Sequence, residues 1–192
     1  MNKIIGLFGG SFDPPHLGHY QVLQHLHSIS IFNEIWIIPS YSHPNNKIMV
    51  SFEHRLNMCI ILAKSFGSFV KVNTVEAELP QPNYTWNTIS ELYKKNTNII
   101  FEWIIGSDNI YNLHQWHSSN ELQKTITFCI IGRKDYQIDK NLLPDHYRLI
   151  SKDIQNFSSS KIRKKLSQKL SCDNLLLREV QDYISRNQLY TS

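Results

Sequence analysis

Between Gly9 and His19 the chain reads Gly-Gly-Ser-Phe-Asp-Pro-Pro-His-Leu-Gly-His. These residue types in this order suit the handling of phosphate. Gly9 and Gly10 carry no Cβ and let the main chain approach a ligand closely. Pro14 and Pro15 stiffen the approach to a helix. A helix starting there offers free N–H groups and the positive end of its dipole to an anion. His16 and His19 are three apart and share one face of the first turn. Gly18 between them leaves room for a flat group to lie on the helix. Two other readings of the pair are a metal site, for which no third ligand is evident, and two histidines satisfied within the fold. The whole string favours phosphate handling over either. It matches neither the G-x-x-x-x-G-K-[ST] loop nor the G-x-G-x-x-G fingerprint. That excludes a kinase-type P-loop and leaves hydride transfer without a signature.

Toward the other end stands Phe157-Ser158-Ser159-Ser160-Lys161-Ile162-Arg163. Alone, a serine cluster opening a helix is what any N-cap looks like. The three cysteines, Cys59, Cys129 and Cys172, have neither zinc-ligand nor redox-pair spacing and read as thiols in a reducing compartment. A net charge of +4 fits an anionic small substrate. Nucleic acid is disfavoured because the basic residues form no dense stripe. No apolar run approaches the roughly 20 residues of a membrane span, and Met1 to Phe8 lacks the features of a signal peptide. A cytoplasmic protein without a membrane or nucleic-acid partner is expected, its oligomeric state left open.

These residues need a scaffold, and the hydrophobic pattern supplies one. Strands are expected over Lys3–Phe8, Glu34–Ile38, Phe69–Val75, Ile99–Ile105, Ile126–Ile131 and Tyr147–Ile150. Helices are expected over Leu17–Ser28, Ser51–Ser65, Tyr84–Lys95 and Asn109–Gln123, the last broken near Trp116. Two more come after them, at about Ser159–Gln168 and Asn174–Asn187. In the second helix Phe52, Leu56, Cys59, Ile60 and Ala63 form the apolar face. Alternating strands and helices imply an α/β fold: a Rossmann-like doubly wound parallel sheet with helices on both faces. The 192 residues suit a single domain, with a C-terminal helical extension over about 151–192. In such sheets ligands bind beyond the carboxyl ends of the strands, where strand order reverses.

The Gly10–His19 string resembles the G-x-F-D-P-x-H-x-G-H signature of the H-x-G-H nucleotidyltransferase superfamily, with every fixed position met. Phe157–Arg163 resembles the superfamily's I-S-S-T-x-I-R element, with Phe for Ile and Ser for Thr. Paired with the first signature it reads as a phosphate site. Trp103-Ile104-Ile105-Gly106-Ser107-Asp108, then Leu113, Trp116 and Glu121-Leu122, resemble the F-I-I-G-x-D…L…W…E-L stretch of bacterial nicotinate-mononucleotide adenylyltransferases. Tyr84-Thr85-Trp86-Asn87-Thr88 and His54-Arg55 with Met58 are similar to two further elements of that family. The family's P-P-H-K-type loop is replaced by His43-Pro44-Asn45-Asn46-Lys47, and 133–144 matches nothing in it.

The resemblance implies adenylyl transfer from ATP to nicotinate mononucleotide, giving nicotinate adenine dinucleotide and pyrophosphate. The alternative is another phosphate acceptor, such as phosphopantetheine or nicotinamide mononucleotide; a nucleotide sensor and an RNA-binding protein are weaker rivals. His16, His19 and Arg163 would be catalytic. Gly9, Gly10, Ser11, Phe12, Gly18, Gly106, Asp108 and Ser159 would join them around ATP. Lys47, Thr85, Trp116, His117 and Arg133 would meet the mononucleotide. Mg²⁺ would come with ATP, held by phosphate and water and not by protein side chains.

Overall fold

The structure, a computed structural model, describes residues 2–42, 47–133, 138–154 and 157–191; at 133 and 151–154 it describes the main chain only. Six strands, β1 (Lys3–Gly10), β2 (Glu34–Pro39), β3 (Val70–Val72), β4 (Ile99–Gly106), β5 (Thr127–Arg133) and β6 (Tyr147–Ile154), form one sheet in the order β3-β2-β1-β4-β5-β6. Every pairing is parallel. The order reverses between β1 and β4, which pair from Lys3↔Ile99 to Leu7↔Trp103. The Rossmann-like expectation holds.

The helices are α1 (Leu17–Ile29), α2 (Phe52–Lys64), α3 (Thr85–Lys95), α4 (Ser119–Thr125), α5 (Ser159–Ser167) and α6 (Arg178–Arg186). Successive side chains of a strand point to opposite faces, and the sheet divides its core accordingly. Ile104, Cys129 and Ile131 pack with Leu23 and Leu26 of α1 and Cys59 and Leu62 of α2. Trp103, Ile105, Phe128 and Ile130 pack on the other face with Ile89 and Leu92 of α3 and Leu122 of α4. Both faces are therefore covered, which is why the central strands read as continuous apolar runs. A third cluster seats Ile162 of α5 and Val180 and Ile184 of α6 on Met58 of α2. The C-terminal helices thus dock on the fold, and each such buried side chain contributes about 1.5–3 kcal/mol.

Several elements differ from expectation. The buried residues of α2 are Arg55, Met58, Cys59, Leu62 and Ala63, while Ile60 is 37% exposed. The face is turned from the Phe52–Leu56–Ile60 stripe because it includes a buried arginine, which a search for apolar residues passes over. The strand expected over Phe69–Val75 shrinks to Val70–Val72, flanked by 3-10 turns at Gly67–Phe69 and Val75–Glu78. The helix expected over Asn109–Gln123 is a 3-10 segment, Ser107–Gln115, and then α4; Ser118 between them is left-handed at φ 51°. β6 runs on to Ile154, past the expected Ile150, and α6 begins at Arg178, after a turn in which Leu175 and Leu176 both donate to Cys172 O.

Candidate active site

A cavity of about 690 Å³ opens beyond the carboxyl ends of β1 and β4. The reversal of strand order puts it there, because crossovers leave in opposite directions on either side of β1. Gly9, Gly10, Ser11, His16, Gly18 and His19 line it from β1 and the start of α1, and Gly106 from the end of β4. Thr85, Trp116 and His117 line it from the start of α3 and the turn before α4.

His16 and His19 open α1 as a reciprocal cap. His19 N–H donates to His16 Nδ1 at 3.4 Å, and His16 N–H donates to His19 Nδ1 at 3.1 Å. Two main-chain donors at the helix start are thereby satisfied, as in a capping box. Their rings stack with centroids 3.7 Å apart. Because each Nδ1 accepts, the hydrogen-bond pattern puts the proton of each neutral imidazole on Nε2. Phe12 backs this pair: its ring lies 4.8 Å from that of His19 and is 2% exposed. Its side chain does not line the cavity, so the phosphate-path expectation for Phe12 is left to its main chain, which sits at φ 48°. The room over Gly18 is partly taken, since a Cβ there would stand 3.0 Å from Phe157 and His16 Nδ1. Gly9 makes way for the Trp103 indole, which a Cβ would meet at 2.4 Å, so this glycine serves packing as well as the cavity.

Beside the motif lies a buried charge cluster centred on Asp13, whose side chain is wholly enclosed. Asp13 Oδ1 accepts from the Tyr190 hydroxyl at 2.8 Å and from Val50 N–H at 3.4 Å. Among the described residues Asp13 Oδ2 has no hydrogen-bond donor, and it faces Arg163 Nη1 at 3.5 Å. Arg163 Nη1 donates to Asp13 O at 2.8 Å, and Nη2 to Ser160 Oγ at 3.2 Å. Ser158 caps α5, and Ser159 Oγ donates to Pro14 O at 3.0 Å. The second motif is thus tied to the first, but neither Arg163 nor Ser159 lines the cavity. Lys47 Nζ donates to Ser11 Oγ at 3.3 Å. Burial pulls the Lys47 pKa down, and the neighbouring charges of Arg163 and Arg55 add to this against Asp13. Arg55 donates to Ser11 O at 2.9 Å and Ser40 O at 2.6 Å, and also to Val50 O and Tyr41 O. It is a cation spent on loop carbonyls, gathering the ends of β1 and β2 into one frame.

The other group of lining residues is built on the first turn of α3. Its N-cap is Tyr84, with no side-chain capping bond, so Thr85 is the first helical residue and not the cap itself. Tyr84 stacks on His117, ring centroids 4.4 Å apart. Trp116 is both a lining residue and partly packed on the core; its N–H donates to Leu113 O. Glu76, 6% exposed, accepts from Tyr41 N–H at 3.1 Å and from Thr88 Oγ1 at 3.0 Å. Burial raises the Glu76 pKa against those two hydrogen bonds. Asn83 accepts from Ser42 N–H and donates to Glu76 O, both at 2.9 Å. Asp108 lies in the first turn of the 3-10 segment, whose N-cap is Gly106, and does not line the cavity. Asn109, Asn112 and Gln115 do line it. They recur every third residue, and a 3-10 helix has three residues per turn, so they share one face. The Arg133 side chain, residues 134–137 and residues 43–46 of the His43–Lys47 loop lie outside the described residues.

Sequence reasoning gave no role to Asp13, Arg55, Glu76, Asn83 or Tyr190. Arg55 carried a signal, a cation on an otherwise apolar helical face. Tyr190 carried none, since its partner is 177 residues away.

Residues 7–165 match the family model described as cytidylyltransferase-like. The chain is 34% identical, over 99% of its length and all of the relative's, to a probable nicotinate-nucleotide adenylyltransferase of Bacillus cytotoxicus. Its fold is similar to that of a Plasmodium falciparum nicotinic acid mononucleotide adenylyltransferase complexed with NaAD, with a TM-score of 0.86, 26% identity and 98% of each chain covered. The same enzyme complexed with APC superposes with a TM-score of 0.85, at 26% identity and 98% coverage of each chain. By its matched model, its full-length relatives and the geometry of its cavity, the chain belongs to the cytidylyltransferase-like family, among the nicotinate-nucleotide adenylyltransferases.

Proposed function

We propose that the chain joins ATP to nicotinate mononucleotide in the cavity beyond β1 and β4. One mononucleotide 5′-phosphate oxygen attacks the α-phosphorus of ATP, the bond to the β-phosphate oxygen breaks, and pyrophosphate leaves. The attacking oxygen is already ionised near neutral pH, so the reaction needs no general base. Catalysis then rests on positioning and on stabilising charge. The observation that carries this reading is the reciprocal His16–His19 cap at one cavity wall, with the first turn of α3 and Trp116 at another.

His16 and His19 present Nε2–H donors to the phosphates, His19 nearest the α-phosphate. Gly9, Gly10, Ser11 and the main chain of Phe12 line the phosphate path, and Gly106 meets the adenosine half; Asp108, outside the cavity in this arrangement, must swing from its 3-10 turn to join it. Arg163 and Ser159 take the departing pyrophosphate; both lie outside the cavity in this arrangement, so Arg163 must turn from Asp13 and Ser159 from Pro14 O to do so. Lys47, beside Ser11, serves the mononucleotide phosphate; Thr85, Trp116 and His117 hold the pyridine, and Arg133 is assigned to the mononucleotide by the family resemblance alone. Among the described residues no three of His, Cys, Asp and Glu converge as a metal-ligand set, and the carboxylate within the motif, Asp13, already faces Arg163. Mg²⁺ is expected to come as part of the ATP substrate, held by phosphate and water.

Among the described residues no helix is long and apolar enough to cross a membrane. The buried thiols of Cys59, Cys129 and Cys172 suit a reducing cytoplasm, and the expected partners are the two small-molecule substrates alone. The test is pyrophosphate release from Mg·ATP with a panel of acceptors: nicotinate mononucleotide, nicotinamide mononucleotide and phosphopantetheine. Turnover mainly with phosphopantetheine would overturn the reading.

A further inference from the structure

We infer that Tyr190 is a positioning residue for ATP, acting through Asp13 on Arg163. The inference rests on the proposed role of Arg163 as a ligand of the triphosphate. Asp13 sits between two claimants. Its Oδ1 accepts from the Tyr190 hydroxyl at 2.8 Å, while its main-chain oxygen holds Arg163 Nη1 at 2.8 Å and Oδ2 faces the same nitrogen at 3.5 Å. In this arrangement Arg163 is turned to the motif loop and does not line the cavity. To grip phosphate it must leave a carboxylate that is fully buried. A buried carboxylate stripped of partners is costly. The Tyr190 hydroxyl lowers that cost, because it and Val50 N–H stay on Oδ1 when Arg163 departs.

The C-terminal segment is built to deliver this hydroxyl. Gln188 and Tyr190 are both in the left-handed region, at φ 50° and 61°, which L residues with a Cβ rarely adopt. Leu189 N–H donates to Ile184 O, which closes the turn and sends the Tyr190 ring back toward α1. The platform beneath is fixed: the Tyr183 hydroxyl meets His54 Nδ1 at 3.0 Å and Asn57 Nδ2 at 3.1 Å on α2. Leu17 N–H at the start of α1 donates to Leu175 O at 2.9 Å. The end of the chain and the first motif thus share one frame, and the hydroxyl is the contact within it that touches the charge cluster.

The test is Tyr190→Phe, which keeps the ring and removes only the hydroxyl. Without that donor Asp13 holds Arg163 more tightly. The Kd of ATP by titration calorimetry and its KM are expected to rise about tenfold, the scale of one hydrogen bond to a charged group. The KM of the mononucleotide rises much less, since Thr85, Trp116 and His117 belong to other elements and Lys47, though it feels the charges of Arg163 and Asp13, keeps its bond to Ser11 Oγ. In an Asp13→Asn background, where the charge that competes for Arg163 is gone, Tyr190→Phe adds no further loss of ATP affinity. Parental ATP binding in Tyr190→Phe overturns the inference, as does an equal rise in both KM values, an undiminished effect in the Asp13→Asn background, or a variant unfolded at the assay temperature. The ATP titration needs no acceptor, so it stands even if the parent fails to use nicotinate mononucleotide.

Discussion

His16 and His19 each accept the other's main-chain N–H on Nδ1, and their rings stack 3.7 Å apart. The pair proposed as catalytic is thereby also the cap of its own helix, and one substitution should show both roles. His19→Ala is expected to cut turnover about 10²–10³-fold, the scale of losing one charge-stabilising donor. It should also cost roughly 1 kcal/mol of stability, the usual loss for a cap. Steady-state kinetics and chemical denaturation read the two effects separately. Turnover within a few-fold of the parent would reduce His19 to its capping role.

Arg163→Lys is expected to weaken ATP binding and slow turnover together. A guanidinium can hold two phosphate oxygens in one plane, whereas an ammonium is a point charge. Lys in this place would also reach Asp13 O and Ser160 Oγ less well, the two acceptors that hold the arginine at 2.8 and 3.2 Å. ATP kinetics unchanged from the parent would make Arg163 a tie between α5 and the motif loop and nothing more.

Glu34 carries a pH dependence. Desolvation raises its pKa, but hydrogen bonds from Lys3, Lys71 and Trp36 outweigh that and bring it from 4.5 to about 2. A carboxylate with a depressed folded pKa stabilises the fold above its unfolded value and loses that contribution as pH falls through the folded one. The stabilisation is therefore full above pH 4.5 and fades toward pH 2. Because Lys3 and Lys71 are 43% and 53% exposed, solvent screens the pair, and about 1 kcal/mol is expected. Glu34→Gln should lower the melting temperature at neutral pH and converge with the parent in acid. Parallel curves across that range would show that the network contributes nothing.

Much of the frame was legible because it rests on local periodicity and on motifs with fixed spacing. Ile99–Gly106 reads as a buried strand from its apolar run alone, and Gly9–His19 announces a strand, a loop and a helix start. What stayed hidden depends on contacts across the sequence. Arg55 is buried because four loop carbonyls surround it, and nothing in the amphipathic pattern of α2 states that. The split of 107–125 into a 3-10 segment and α4 turns on Ser118, a residue with no glycine to mark its positive φ. Asp13 stood in plain view within the first motif, but its role appears only once Tyr190 and Arg163 are set beside it.

The preference between pyridines is expected to depend on the first turn of α3. Tyr84 caps that helix without a side-chain hydrogen bond, and Thr85 lines the cavity. An N–H there can meet a carboxylate, helped by the positive end of the helix dipole. Trp116 N–H is already donated to Leu113 O, so of the Trp116–His117 pair His117 supplies the second candidate N–H. Trp116 would stack on the pyridinium, as an indole does on a cationic ring. Donors aimed at a carboxylate form charge-assisted hydrogen bonds, roughly twice as strong as neutral ones. The amide of nicotinamide would instead turn an NH₂ toward N–H groups. That mismatch is expected to lower kcat/KM about 10²-fold for nicotinamide mononucleotide relative to nicotinate mononucleotide. Trp116→Ala should weaken binding of the mononucleotide far more than binding of ATP. The deciding measurement is kcat/KM for both mononucleotides in the parent and in Trp116→Ala. Equal use of the two by the parent would sink the donor pocket, and an unaffected Trp116→Ala would return that indole to the core it partly joins.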